Sequence, residues 1–466
     1  MSPVDWISRG VALWRPGFEK ASAGTGREPK PSASAVPGAA SQPPSSRTTR
    51  ERLQATWRKG QEALSPRVLR RTLAELQAVV DPKVSEVEGG RRALALATWY
   101  RGASAEERHD AWLLMSEQFG PDPKKLQSAR EQYEAAQGTP EEGAAEIRLR
   151  RAFVSPRTRL LQRFAAFPEG MRFLVDLRAE LLPHLKGEKR LLALDAELET
   201  LFSTWFDVAF LELRRLSWDS PASLIEKLIK YEAVHDIRSW ADLKNRLDSD
   251  RRCYGFFHPK LDGDPLIFVE VALTDSISDC ITPLLDEHAA ASDLKRATTA
   301  IFYSISNCQT GLRGVSFGDS LIKRVVETLK EEFPKLKTFA TLSPIPGFRS
   351  WLVKQVPADK LASWDKPLEL GPKSPERAEL LAWAAQYLGK ELQDGKPVDP
   401  VARFHLGNGA RVERLNWAGD PSTKGIKQSF GLMVNYLYDP KRLDKHRTML
   451  SQGEIPIAGA IEDLYR

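Results

Sequence analysis

Three stretches of the 466-residue chain hold side chains that could do chemistry. The first is "ATLSPIPGF", residues 340–348, in which Ser343 precedes two prolines and a glycine. Proline fixes φ and removes a backbone donor, so the chain is expected to turn here with Ser343 at the corner. The second is "VARFHLGNGARVERLNW", in which His405 precedes a Gly-Asn-Gly turn. Imidazole titrates near neutral pH, so a histidine held beside a turn is a candidate proton donor or acceptor. His258, in "FFHPK", is the competing histidine. The third is "NCQTGLRGVSFGDS", in which Gly311, Gly314 and Gly318 precede an apolar helical pattern. A glycine-lined turn feeding a helix exposes unpaired backbone N–H groups at the positive end of the helix dipole, which suits phosphate. Arg313 adds a charged donor. The turn ends in no Gly-Lys-Ser/Thr and lacks GxGxxG spacing, so it is neither a P-loop nor a dinucleotide fingerprint. By spacing alone it is equally a tight turn with no ligand.

These stretches must be carried by ordered elements. Residues 18–50 are rich in Pro, Ser, Ala and Gly and hold almost no large apolar side chain, so 1–50 is expected to be a disordered leader. From 51 to 200 the pattern is helical. "SAEERHDAWLLMSEQF" carries a capping box of Ser104 and Glu107, and "TPEEGAAEIRLRRAF" offers the same device with Thr139, Pro140 and Glu142. "LLALDAELETLFSTWFDVAFLEL" supplies a long apolar face. From 201 to 466 strands alternate with helices. The readings are strands at 265–274, 300–306, 336–343, 411–417 and 430–438, and helices at 319–333 and after Ser374–Pro375. The fold class is α+β: an N-terminal all-helical bundle followed by a mixed α/β catalytic domain.

Composition narrows the function classes. With 68 basic and 62 acidic residues the formal charge is +6, interleaved along the chain, which fits an anionic small ligand better than a nucleic-acid surface. Cys253, Cys280 and Cys308 form no CxxC pair, which points away from a cysteine zinc site and toward a reducing, cytoplasmic setting. No apolar run approaches membrane-spanning length. The arginines and serines of the leader leave organellar targeting open. No HExxH, GxSxG or biotin-attachment sequence is present, so no metal site is expected.

"FYSISNCQTGLRGVSFGDSLIKRVVETLKEEFPKLKTFATLSPIPGF" and "VARFHLGNGARVERLNWAGDPSTKGIKQSFGLMVNYLY" resemble the central and C-terminal signatures of the malonyl-CoA decarboxylase family. The resemblance extends upstream through "RRCYGFFHPKLDGDPLIFVEVALT" and "LSWDSPASLIEKL". It implies a helical oligomerisation domain, with a homotetramer or other homo-oligomer as the assembly. It also implies a catalytic domain related to the N-acetyltransferase (GNAT) superfamily, and conversion of malonyl-CoA to acetyl-CoA and CO2 with no cofactor. Family catalytic positions fall on Ser343 and His405, with Tyr438 in support. Arg313, Gly314, Val315, Ser316, Phe317, Gly318 and Asp319 match the segment that takes the coenzyme A pyrophosphate. Ser316 stands where some relatives carry a glutamate, and a hydroxyl supplies no fixed negative charge. The alternative is a GNAT-type acyltransferase using an acyl-CoA donor. The role drawn from the resemblance gives Ser343 the orientation of the malonyl group and His405 the proton.

Overall fold

The structure is a computed structural model and describes residues 66–465, apart from 262, 316 and 318–320. The expected leader, and Ser316, Gly318 and Asp319 of the turn, lie outside the described residues. The chain opens with eight α-helices among the described residues: α1 Pro66–Val80, α2 Glu86–Gly102, α3 Ala105–Glu117, α4 Pro123–Ala136, α5 Glu142–Phe153, α6 Pro156–Ala165, α7 Gly170–Leu181 and α8 Leu192–Trp205. The Ser104–Glu107 capping box forms: Glu107 N–H donates to the serine oxygen and Ser104 N–H to the Glu107 carboxylate. Thr139 departs from its expected role. Its hydroxyl donates to Ala136 O, closing α4, and α5 starts at Glu142 with no side-chain cap. The apolar run from Leu191 is also divided: α8 ends at Trp205, and Glu212–Leu216 becomes an edge strand.

A mixed sheet follows, built from β1 Glu212–Leu216, β2 Arg251–Phe257, β3 Pro265–Thr274, β4 Thr299–Asn307, β5 Thr338–Thr341, β6 Ser343–Pro344, β9 Arg411–Asn416 and β10 Met433–Leu437. A hairpin of β7 Leu392–Gln393 and β8 Lys396–Pro397 stands apart. β1 to β4 form an antiparallel meander, and β4 pairs parallel with β5. The crossover between β4 and β5 contains the glycine-rich turn and α11 Leu321–Glu332, after α9 Ala222–Tyr231 and α10 Trp240–Arg246 earlier in the chain. Leu321, Ile322, Val325, Val326 and Leu329 of α11 are buried as one stripe, as the 3.6-residue pattern requires. Further on come α12 Pro375–Gly389, capped by Ser374, and α13 Pro400–Gly407, capped by Asp399.

The strand expected at 336–343 is interrupted. β10 pairs with Ala340 through Leu437 and with Ser343 through Val434, antiparallel and in one register. β5 and β6 are therefore one strand broken at Leu342, whose N–H goes to Phe302 O of β4. β10 covers the other edge, with β9 beyond it. Ser343 accordingly sits in a strand and not at a turn corner. The chain turns at Ile345–Gly347, and it is pairing with β10, as well as the flanking prolines, that fixes the serine.

Candidate active site

Ser343 and His405 come from elements 62 residues apart and meet in the core, with Ser343 Oγ 3.2 Å from His405 Nε2. The histidine lies in the last turn of α13 and not in the Gly-Asn-Gly loop that follows it. Its other nitrogen, Nδ1, is 2.7 Å from the Tyr438 hydroxyl. Ser343 donates to Thr341 Oγ1 at 2.9 Å, and Thr341 Oγ1 also accepts the Tyr436 N–H. With its own proton committed to Thr341, the serine oxygen accepts from His405 Nε2–H. Nδ1 then accepts from Tyr438, so the network sets the Nε2–H tautomer.

The cluster is almost dry. Ser343, His405 and Tyr438 are each 5% exposed or less. The imidazole stacks on Tyr436 with ring centroids 4.7 Å apart and 26° between planes, and Phe404 meets it edge-on. Among the described residues no carboxylate is hydrogen-bonded to the ring, and burial pushes the His405 pKa down to about 3. Burial pushes the Tyr438 hydroxyl well above its usual range. In the ligand-free site the buried His405 ring therefore favours its neutral form at physiological pH. A proton-donor role for His405 then requires that the ring gain its proton when substrate binds.

One side chain ties the two segments together. Asp399 is 1% exposed. Its Oδ1 accepts the N–H groups of Val401 and Ala402, starting α13. Its Oδ2 accepts from Gly347 N–H and the Tyr387 hydroxyl, each at 3.3 Å. The helix that delivers His405 is thus pinned to the loop that leaves Ser343. Gly347 must be glycine for this, since a Cβ there would lie 2.2 Å from the Tyr387 oxygen.

A cleft of about 1010 Å³ leads to the pair. Arg313, Gly314, Val315 and Phe317 line it at the glycine-rich turn, Phe302 to Ile305 of β4 along one wall, and Ser343 and His405 at the reacting groups. Lys396 of β8, and Arg403, Phe404 and Asn408 at and just beyond α13, also line it. Among the described lining residues the charged ones are Arg313, Lys396 and Arg403, all cationic, which favours an anionic ligand. His258, at the end of β2, packs against Phe206 and is not a lining residue. Lys396, Arg403, Asn408, Thr341, Tyr436 and Asp399 were not singled out from sequence. Only Asp399–Pro400 carried a readable signal, an N-cap followed by a first-turn proline. Among the described residues no three His, Cys, Asp or Glu side chains converge to hold a metal ion.

Fold and site define an α+β protein with a long, cation-walled cleft ending in a buried Ser–His–Tyr chain. Comparison with known proteins is specific. Residues 119–206 match the malonyl-CoA decarboxylase N-terminal domain and residues 209–466 its C-terminal domain. Mitochondrial malonyl-CoA decarboxylase of Anser anser anser is 36% identical over 398 residues, covering 75% of this chain and 78% of that protein. The Rattus norvegicus enzyme is 38% identical over 338 residues, covering 63% and 68%. The solved malonyl-CoA decarboxylases of Rhodopseudomonas palustris and Agrobacterium vitis superpose with a TM-score of 0.75 at 40% and 41% identity. Each covers 85% of this chain, and 99% and 100% of the solved chains are matched. The chain belongs to the malonyl-CoA decarboxylase family.

Proposed function

We propose that the chain converts malonyl-CoA to acetyl-CoA and CO2, with the thioester lying along the cleft, its pyrophosphate at the glycine-rich turn and its malonyl group against Ser343 and His405. The observation that carries this reading is the continuity of one cleft from the cationic turn to a neutral Ser–His–Tyr chain. The bond between Cα and the carboxylate breaks, and its electron pair moves into the thioester as an enolate. CO2 leaves and one proton is added to Cα. The substrate is its own electron sink, so no metal, biotin or other cofactor is part of the proposal.

The protein's tasks are orientation, stabilisation of the enolate oxygen and delivery of the proton. Ser343, fixed by β10, orients the malonyl group by hydrogen bonding. The malonyl carboxylate is the missing charge: placed beside the imidazole it favours the protonated form, so His405 takes up a proton as substrate binds. That proton enters at Nδ1, where the Tyr438 hydroxyl turns to accept it; after CO2 departs, Nε2 gives its own proton to carbon and the ring returns to neutral with its proton on Nδ1, exchange with solvent then restoring the Nε2–H form. Tyr438 holds Nδ1. The same reading includes an oligomer formed through the helices, where Ile147, Phe153 and Val154 are exposed, and a cytoplasmic setting. No described helix is long and apolar enough to cross a membrane.

The test is release of labelled CO2 from carboxyl-labelled malonyl-CoA by purified protein with no added cofactor or acyl acceptor. Release matched one-to-one by acetyl-CoA is the expected result. Tight coenzyme A binding without release would overturn the assignment in favour of an acyltransferase.

A further inference from the structure

Among the described residues of the helical region, α7 packs directly on the glycine-rich turn. Val175 of α7 lies so close to Gly311 that a Cβ on Gly311 would sit 1.9 Å from the Val175 carbonyl oxygen. One turn along the same face, Arg178 is 2% exposed. Its Nε donates to Asp195 Oδ1 of α8 at 2.8 Å. Its Nη1 donates to two carbonyls of the turn, Gly311 O at 2.8 Å and Arg313 O at 2.9 Å. Nη2 is 3.5 Å from Glu199. Nearer the start of α7, Arg172 donates to the Gln309 side chain at 2.7 Å, where the turn begins.

Pinning a carbonyl also aims a donor. A trans peptide is planar, and its C=O and N–H point in opposite directions. Drawing the Arg313 carbonyl onto the guanidinium turns the Gly314 N–H away from α7. Gly314 lines the cleft, and its φ of +82° is one that only glycine adopts without strain. The planar fork of arginine suits this task, because it can hold Asp195 through Nε and the carbonyls through Nη1 at once. The compact ammonium of lysine cannot span both.

We propose that Arg178 is a positioning residue for coenzyme A: it lies outside the cleft, touches no reacting atom, and sets the turn so that the Gly314 N–H faces the pyrophosphate. This rests on the reading of the turn as the pyrophosphate site. A helix of the N-terminal region thereby supplies part of substrate recognition.

The experiment compares malonyl-CoA with malonyl-pantetheine, which has the same reacting end but no pyrophosphate, on wild type and Arg178→Lys. Wild type is expected to favour malonyl-CoA in kcat/KM by about a hundredfold, the worth of two or three oriented phosphate contacts. Arg178→Lys should lose about tenfold in kcat/KM for malonyl-CoA, carried by KM, and stay within about twofold on malonyl-pantetheine. Equal losses on both substrates would mean a merely structural role and overturn the assignment, as would no loss on either. A wild type that does not distinguish the two thioesters would remove the pyrophosphate reading itself. Asp195→Ala is the second route should Arg178→Lys not fold, since it keeps the guanidinium but removes the carboxylate that orients it. It should show the same selective loss, about threefold, and an equal loss on both substrates would again overturn the proposal.

Discussion

Two groups of buried polar side chains lie along the sheet, and they are built on opposite principles. Around the middle of β3 and β4 the cluster is ionic. Arg246 of α10 meets Asp242 and the fully buried Glu270, and the Glu232 carboxylate is held by the hydroxyls of Ser304 and Ser306 and by the N–H groups of Val234 and His235. Burial, with Glu232 close by, pushes the Glu270 carboxyl up to about 8 against the pull of Arg246. At the junction of β5, β6 and β10 the cluster is a chain of neutral donors and acceptors, with Ser343 and His405 facing a cleft. A buried cluster whose polar groups are mostly engaged with one another has little left to offer a ligand. A neutral one ending at a cavity is incomplete until something charged arrives. The comparison marks the first, which meets the cleft only through Ser304 and Val234, as structural and the second, which presents Ser343 and His405 to it, as functional, although both are buried.

Mutation should break the two clusters differently. The largest effect falls on activity at the neutral one: His405→Ala should lower kcat by about 10²–10⁴-fold while coenzyme A still binds and the fold persists, as followed by labelled CO2 release and coenzyme A titration. At the ionic cluster the effect moves to stability. Arg246→Met strands Asp242 and should cost about 3–5 kcal/mol in urea unfolding, with kcat of the remaining folded enzyme nearly unchanged. A smaller loss separates orientation from chemistry. Asp399→Asn turns an acceptor toward the Gly347 N–H into a donor, and should lower kcat about tenfold with KM held within about twofold. The smallest is a pH effect. His405 has a folded-state pKa of about 3, below its unfolded value near 6.5. Below pH 6.5 the unfolded chain binds the proton first, so stability is lost as pH falls through that window and His405 contributes no loss above it. Between pH 7.5 and 5 the His405 contribution should be about 2 kcal/mol, and His405→Gln should remove it. Buried His235, whose pKa burial lowers to about 4, adds a slope of the same sign that remains in the variant.

Much of this was legible along the chain. The helix stripe of α11 and the strand at 265–274 follow from local period, and Ser343 and His405 stood out by motif. What was hidden depends on partners far away in sequence. Ser343 is rigid because Val434, 91 residues later, pairs with it, and no local pattern shows that. Burial among Tyr436 and Phe404 lowers the His405 pKa, and the sequence shows neither neighbour beside the ring. Arg178 gave no signal at all: its partners in the turn are backbone carbonyls, whose positions no side-chain motif encodes. Asp399–Pro400 could have located the helix that carries His405, but not the second bond from Asp399 to Gly347.

The central claim is that the site is neutral when empty and acquires its proton with the substrate. The most direct test is the nitrogen-15 spectrum of His405 at pH 7, assigned by comparison with His405→Gln, in free enzyme and with a non-decarboxylating malonyl-CoA analogue bound. The account predicts neutral imidazole with the proton on Nε2 in the free enzyme and imidazolium in the complex. An imidazolium already present in the free enzyme, or a ring still neutral beside the bound carboxylate, would contradict it.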